Sequence, residues 1–487
     1  CCCGQAFVRS LLRVRLVATI CLASLLAVAS HGCGPRPAQV TAHVELTDPW
    51  ILDSLKAVPG LRLLEVNSRH ALVRLAERQF LSLSTRGYEV SLVVELDNEP
   101  GIPAFYPRAQ EVGARLEALA ASFPHLAACY RLGRGGAIRA LKISDNPVLQ
   151  EDEPAVLFYG GLHAQEALGV MACLALCEEL CAKYGVDPRY TKAVEDNELW
   201  IVPLLNPDGY ELVRSGKVHY PWWRKNLRDN NGNGRFEPEH DGVDLNRNFG
   251  FNWEHGGSSE PGSWYYRGPQ PFSEWEVAAF ESLAVARRFV AGIGFHSHGH
   301  KVLYPWGNGP TPPDQVLLRA MAQSLAKSMR QCGARYAVLP LNAQSGQSSV
   351  WLYGALGTLD FTVELGTEFF PERKEAEREM GCALAAAMWL IGRVAGPGLR
   401  GRVVDARTGA PLHARVIVQE LDSEAVWPRM TAPETGRFFR LLEPGLYQLA
   451  VMAQGYRSCH QTVRVVQGPA VELVVELARL DEAAVGS

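Results

Sequence analysis

The sequence lacks a strong charge of either sign: 48 Lys and Arg against 52 Asp and Glu leave a formal net charge of −4 over 487 residues. No basic run interrupts that balance, so nothing points to nucleic acid as a partner. Long apolar runs are equally scarce. The clearest, residues 16–29, is too short to span a bilayer comfortably. Cysteine looks plentiful at 12, yet five lie at or before Cys33, and the remaining seven are odd in number and widely spread. That excludes a dense disulfide framework and leaves about one or two bridges at most. What is present, 47% apolar and 21% charged residues, is ordinary for a soluble globular protein. The length suggests roughly two to four domains.

Arg9, Arg13 and Arg15 precede the short apolar run, and Ser30-His31-Gly32-Cys33 follows it. A positive segment, an apolar segment and small residues at a cleavage point read as an export signal over 1–33. Gly32-Cys33 resembles the site at which bacterial lipoproteins are cut and acylated. The expected location is therefore extracellular, periplasmic or lipid-anchored to the envelope, with Cys33 as the sole membrane contact. Residues 38–98 then alternate as strand, helix, strand, strand, helix, strand, the order of a small split βαβ sandwich. Pro100 and Pro103 flank a linker.

From 103 to 396 apolar strands and helical stretches alternate around what should be a mixed, mostly parallel sheet with flanking helices, an α/β architecture. Ala155 to Phe158 reads as a buried strand, two glycines break it, and a helix follows over about 167–184. His163 and Glu166 fall in the turn between them, where side chains converge on a crevice. An imidazole and a carboxylate there can close on one zinc ion and leave room for a third ligand and a water. Cys173, Cys177 and Cys181 share one face of the following helix and are expected as small buried apolar residues, a metal or redox cluster being the alternative. Asn206-Pro207-Asp208-Gly209 carries a tight-turn signal. Asp229-Asn230-Asn231-Gly232-Asn233-Gly234 begins like a calcium loop, but its twelfth position is His240 instead of a bidentate Glu. A turn-rich insertion is the expectation, and Glu237, Glu239 and Asp241 keep Ca2+ open. After about 396 the pattern turns to pure strand and turn, a β-sandwich over 399–480 with no catalytic constellation.

Four later segments follow His163 in fixed order: Trp223-Arg224-Lys225-Asn226, Val243-Asp244-Leu245-Asn246-Arg247-Asn248-Phe249, Phe295-His296-Ser297-His298 and Phe361-Thr362-Val363-Glu364-Leu365. Together they resemble the zinc metallocarboxypeptidases, the family of carboxypeptidase A, over about residues 103–396. On an extended strand His296, His298 and His300 share a face, so spacing leaves the third ligand open. The resemblance picks His296. It implies one Zn2+ on His163, Glu166 and His296, Glu364 as general base with Glu368 a distant second, and Arg224 as the carbonyl-polarising arginine. Asn246 and Arg247 then hold the substrate's terminal carboxylate, while Ser297, His298, Asn342 and Ser349 line the substrate. Asn342 stands where a mobile tyrosine usually caps the substrate, and Gln165 replaces a frequent arginine. Ser349, at the base of the specificity pocket, is uncharged and disfavours basic end residues. The segment 38–98 matches the propeptide position, and Gly401-Arg402-Val403-Val404-Asp405 with Gly445-Leu446-Tyr447 resembles a transthyretin-like domain. The implied partners are peptide or protein C-termini. Two rivals remain: a zinc amide hydrolase on cell-wall peptides or acylated amino acids, and a catalytically silent binding protein.

Overall fold

The computed structural model describes residues 39–480 except 47–48, 67–69, 77–78, 80–81, 84–89, 94–101, 216–222 and 342–344. The export-signal and Cys33 readings, Asn342, and most of the helix expected over 77–86 lie outside the described residues. The chain forms two compact units, Cys1–Glu99 and Pro100–Ser487.

In the first unit β1 (Gln39–Glu45), β2 (Arg62–Val66), β3 (His70–Ala76) and β4 (Val90–Val93) form one sheet in the order β2-β3-β1-β4, every pairing antiparallel. Ala42 and Val44, then Ala71, Val73 and Leu75, alternate onto one face. Helix α1 (Pro49–Lys56) adds Ile51 and Leu55, one turn apart. In this order β3 lies between β1 and β2.

The second unit is built on an eight-stranded sheet in the order β11-β10-β12-β9-β7-β8-β6-β5. Its strands are β5 (Ala127–Leu132), β6 (Ile138–Ile143), β7 (Ala155–Tyr159), β8 (Glu198–Val202), β9 (Ala291–Ser297), β10 (Lys301–Tyr304), β11 (Ala337–Pro340) and β12 (Leu359–Leu365). Four of its seven pairings are parallel, β7 with β8 and β9, β9 with β12, and β10 with β11. The sheet is mixed and mostly parallel, as expected. Every residue of β7, β8 and β9 is buried, which is what a strand covered on both faces requires.

The covering helices are α2 (Ala109–Ser122), α3 (Ala167–Lys183), α4 (Pro188–Glu195), α5 (Pro207–Arg214), α6 (Trp275–Arg287), α7 (Gln315–Met329), α8 (Ser348–Trp351) and α9 (Arg373–Val394). Cys173, Cys177 and Cys181 on α3 are buried free thiols whose pKa burial pushes up, so they pack and do not react. The tight turn expected at 206–209 is instead a helix start. Asn206 Oδ1 accepts from Gly209 N at 3.0 Å and caps α5, with Pro207 in the first helical position.

The C-terminal strands β13 (Gly398–Asp405), β14 (Arg415–Val418), β15 (Arg437–Leu441), β16 (Gly445–Met452), β17 (Cys459–Val465) and β18 (Val471–Leu477) form two three-stranded sheets, β15-β13-β18 and β14-β16-β17. Val403, Val416, Leu449, Val463 and Val475 fill the space between them. This sandwich is welded to the large sheet's unit. Trp427 N donates to Gly354 O at 2.8 Å, the Trp427 ring lies 5.8 Å from Phe251, and Arg440 reaches Asp314 at 3.3 Å.

Candidate active site

Strand β7 delivers the chain to Gly160 and Gly161, the latter at φ +58°, and α3 begins at Ala167. The helix can start so close to the sheet because Gly169 has no side chain: a Cβ there would stand 2.2 Å from Phe295 O on β9. That approach sets the loop carrying His163 and Glu166 against His296. His163 Nδ1 lies 2.7 Å from Glu166 Oε1, His296 Nδ1 lies 2.8 Å from Glu166 Oε2, and the two Nδ1 atoms are 3.2 Å apart. Donors placed about 2.0–2.1 Å from a tetrahedral ion would stand about 3.3 Å from one another, so a small outward shift seats zinc. All three side chains are buried, and together they can hold a metal ion. Burial alone would raise the Glu166 pKa, but the two imidazoles overcome it and hold the carboxylate far below its usual range.

The structure separates the three candidate histidines. His298 is exposed with its ring 4.7 Å from Phe369. His300 faces Glu379 Oε1 at 3.1 Å. Glu379 also accepts from Tyr336 and, at 3.1 Å, from Gly366 N, and so braces the end of β12.

Asp244 is the residue the sequence reading left without a role. It is fully buried, with Oδ1 3.4 Å from His163 Nε2 and accepting from Asn246 N at 3.0 Å. Its Oδ2 accepts from Arg224 Nε at 2.9 Å and lies 3.9 Å from Arg247 Nη1. Burial would raise its pKa, but Arg224 and Arg247 drive it well down. One carboxylate thus orients a candidate ligand and both arginines. Its signal lay inside Val243–Phe249, where Asp244 caps the turn Leu245–Arg247. Arg247 and Arg224 also flank the ring of Tyr265, at 5.3 and 5.7 Å. Asn246 Oδ1 accepts from Ser348 N at 2.8 Å and Ser348 Oγ at 3.2 Å, which leaves its amide N–H groups to donate.

Glu364 stands opposite His296 in the β9–β12 register and opposite Lys301 on the other side. Burial and then Glu166 push its pKa up to about 7, against the pull of His296, Arg224 and Lys301. Glu368 is exposed. Ser349 Oγ pairs with Thr362 Oγ1 at 3.1 Å, both buried, and the Ser297 hydroxyl is buried without a hydrogen bond. Gln165 is buried.

The geometry gives calcium at the Asp229 loop no support. Asp229 Oδ1 and Oδ2 accept from Gly232 N and Gly234 N at 2.7 Å, and Glu237 accepts from Asn231 and Asn233. The oxygens that would bind an ion close the turn instead, as a turn-rich insertion does.

Residues 112–381 match the family model described as zinc carboxypeptidase, and residues 398–478 match the carboxypeptidase regulatory-like domain. Human carboxypeptidase D is 28% identical over 75% of the chain. The inactive metallocarboxypeptidase ECM14 of Saccharomyces cerevisiae is 31% identical over 50% of it. The alignments span 26% and 58% of those two relatives. The crystal structure of carboxypeptidase A from Helicoverpa armigera superposes with a TM-score of 0.59 at 23% identity, covering 72% of this chain and 98% of that one.

Proposed function

This chain belongs to the zinc carboxypeptidase family, and from that premise we propose that it is an active, exported exopeptidase acting on the C-termini of peptides or proteins. One observation carries the reading: the trio His163, Glu166 and His296 shares a buried site with Glu364 in register and with two arginines fixed on Asp244. His163, Glu166 and His296 would hold a zinc ion, which would supply Lewis acidity and lower the pKa of a water there. Glu364 takes a proton and hands it to the leaving amine. Arg224 faces the carbonyl oxygen and balances the charge that develops there. Arg247 pairs with the free terminal carboxylate through two charge-assisted hydrogen bonds, and Asn246 donates another. Ser297 and His298 line the approach, and Asn342 is given to the substrate by the sequence pattern alone. Ser349, occupied with Thr362, makes an uncharged wall that favours apolar or aromatic end residues over basic ones. The signal-like residues 1–33 support a place outside the cytoplasm, with Cys33 as the candidate anchor.

Selection of the chain end tests this most sharply. An amidated end brings N–H donors to Arg247 and leaves a desolvated cation poorly paired, a loss of about 2–5 kcal/mol, or roughly tenfold to several thousandfold in kcat/KM. Free-acid peptides should lose one residue at a time, their amidated twins far more slowly, and Arg247→Ala should erase most of the difference. Equal rates on both forms would favour the amide-hydrolase reading. Zinc retention without turnover on either would favour a silent binding protein.

A further inference from the structure

Residues 258–267 fold back on themselves beside the candidate active site. Ser258 N donates to Tyr265 O at 2.8 Å, and Arg267 N donates to Ser258 O at 3.0 Å. The segments that carry Arg224 and Arg247 tie this fold-back down. Lys225, next to Arg224 in the chain, is buried and donates through Nζ to Pro261 O at 3.1 Å and Ser263 O at 3.2 Å. Asp244 N donates to Tyr266 O at 2.9 Å, and Tyr265 N donates to Ser263 Oγ at 3.2 Å. Gly257 permits the close approach, since a Cβ there would stand 2.8 Å from Tyr265 O and 3.2 Å from Arg247 Cβ. These ties set one half-buried ring, Tyr265, against two guanidiniums, Arg247 at 5.3 Å and Arg224 at 5.7 Å from its centroid.

The two arginines are unequally compensated. Arg224 Nε is 2.9 Å from Asp244 Oδ2, whereas Arg247 Nη1 stands 3.9 Å from that same oxygen. Burial, together with the like charge of Arg224, holds the Arg247 pKa below its usual value despite Asp244. A ring face draws a cation electrostatically out to about 6 Å, and both arginines fall inside that reach. It offers no carboxylate oxygen, so it steadies a guanidinium without occupying the N–H fork that a substrate carboxylate needs. A second acidic side chain in its place would pair with Arg247 and compete with the substrate.

We infer that Tyr265 is a positioning residue for the exopeptidase reaction, its ring fixing Arg247 for the terminal carboxylate and Arg224 for the carbonyl oxygen. It acts through the two arginines and not on the substrate. This role rests on the carboxypeptidase reading above and deepens it: selection of a free chain end depends on an aromatic face as well as on the charges of Asp244 and Arg247.

The test measures kcat and KM of the full-length, zinc-loaded protein on paired free-acid and amidated peptides. Tyr265→Leu keeps apolar bulk and removes the ring face. It should lower kcat/KM on the free acid by about five- to thirtyfold and shrink the acid-over-amide preference, with bound zinc unchanged. Tyr265→Phe keeps the ring and should restore most of that loss. Fluorinated phenylalanines in its place change shape little but drain the ring face. With them kcat/KM should fall stepwise as fluorines are added, whether or not the leucine variant folds. A folded Tyr265→Leu variant with the full acid-over-amide preference, or a flat fluorine series, overturns the role of Tyr265 alone. No such preference in the unmodified enzyme overturns the carboxypeptidase reading and this role with it.

Discussion

Asp244 has no place among the reacting groups, yet it sets His163, Arg224 and Arg247 together. Partners of this kind behind a metal ligand are worth about 10–100-fold in metal affinity. Asp244→Asn should therefore weaken zinc by that factor in a chelator competition and lower kcat/KM as the arginines lose their anchor; unchanged zinc affinity would refute the link to His163. Asp360 makes a different case. Burial pushes its pKa up to about 8, with Tyr159 donating to Oδ2 at 2.8 Å and Oδ1 left unbonded. The folded chain then holds a proton that the unfolded chain releases. The Asp360 contribution to stability is full below about pH 4 and is lost as pH rises toward 8, at about 1.4 kcal/mol per pH unit. In denaturant melts between pH 5 and 8, Asp360→Asn should lose that slope relative to the unmodified protein, and parallel curves would count against it. His163, Glu166, His296 and Glu364 were legible because each sits in a short segment whose order repeats a family pattern. Asp244 lay in such a segment too, but its value rests on contacts with residues about 20 and 80 positions away, and those exist only once the chain has folded.

At the scale of elements, the close approach of α3 to β9 positions the site. A methyl at Gly169 would meet the Phe295 carbonyl at 2.2 Å. Backbone cannot yield as a flexible side chain can, so Gly169→Ala should cost about 1–3 kcal/mol. Because Phe295 precedes His296, thermal melts and zinc content should fall together; an unshifted melting temperature would show that the helix can move away freely. The strands and most helices were readable from apolar runs and alternation. Asn206-Pro207-Asp208-Gly209 was misjudged because the residues that make a tight turn also make a helix cap. What followed, Tyr210 and Val213, buries one helical face, and too few residues followed to display that period clearly.

For the whole molecule, the sandwich and the large sheet share contacts, the buried Arg440–Asp314 pair and the Trp427–Phe251 ring contact among them, whereas residues 1–99 form their own unit. Limited proteolysis should cut near 99–106 and leave 107–480 intact, and calorimetry of that product should show the sandwich melting with the catalytic sheet in one transition. Two separated transitions within 107–480 would contradict the shared core. The order of the central sheet has a consequence for synthesis. Strands β9 and β10 are neighbours in sequence but not in space, because β12, more than fifty residues later, lies between them. As the chain leaves the ribosome, the two flanking edges must wait for the strand that bears Glu364, while His163, Glu166 and His296 have already emerged. A nascent chain could therefore gather its metal ligands well before it acquires the carboxylate needed to use them. Any chain that ends before residue 359 should be left with unpaired edges, prone to aggregation, and without peptidase activity.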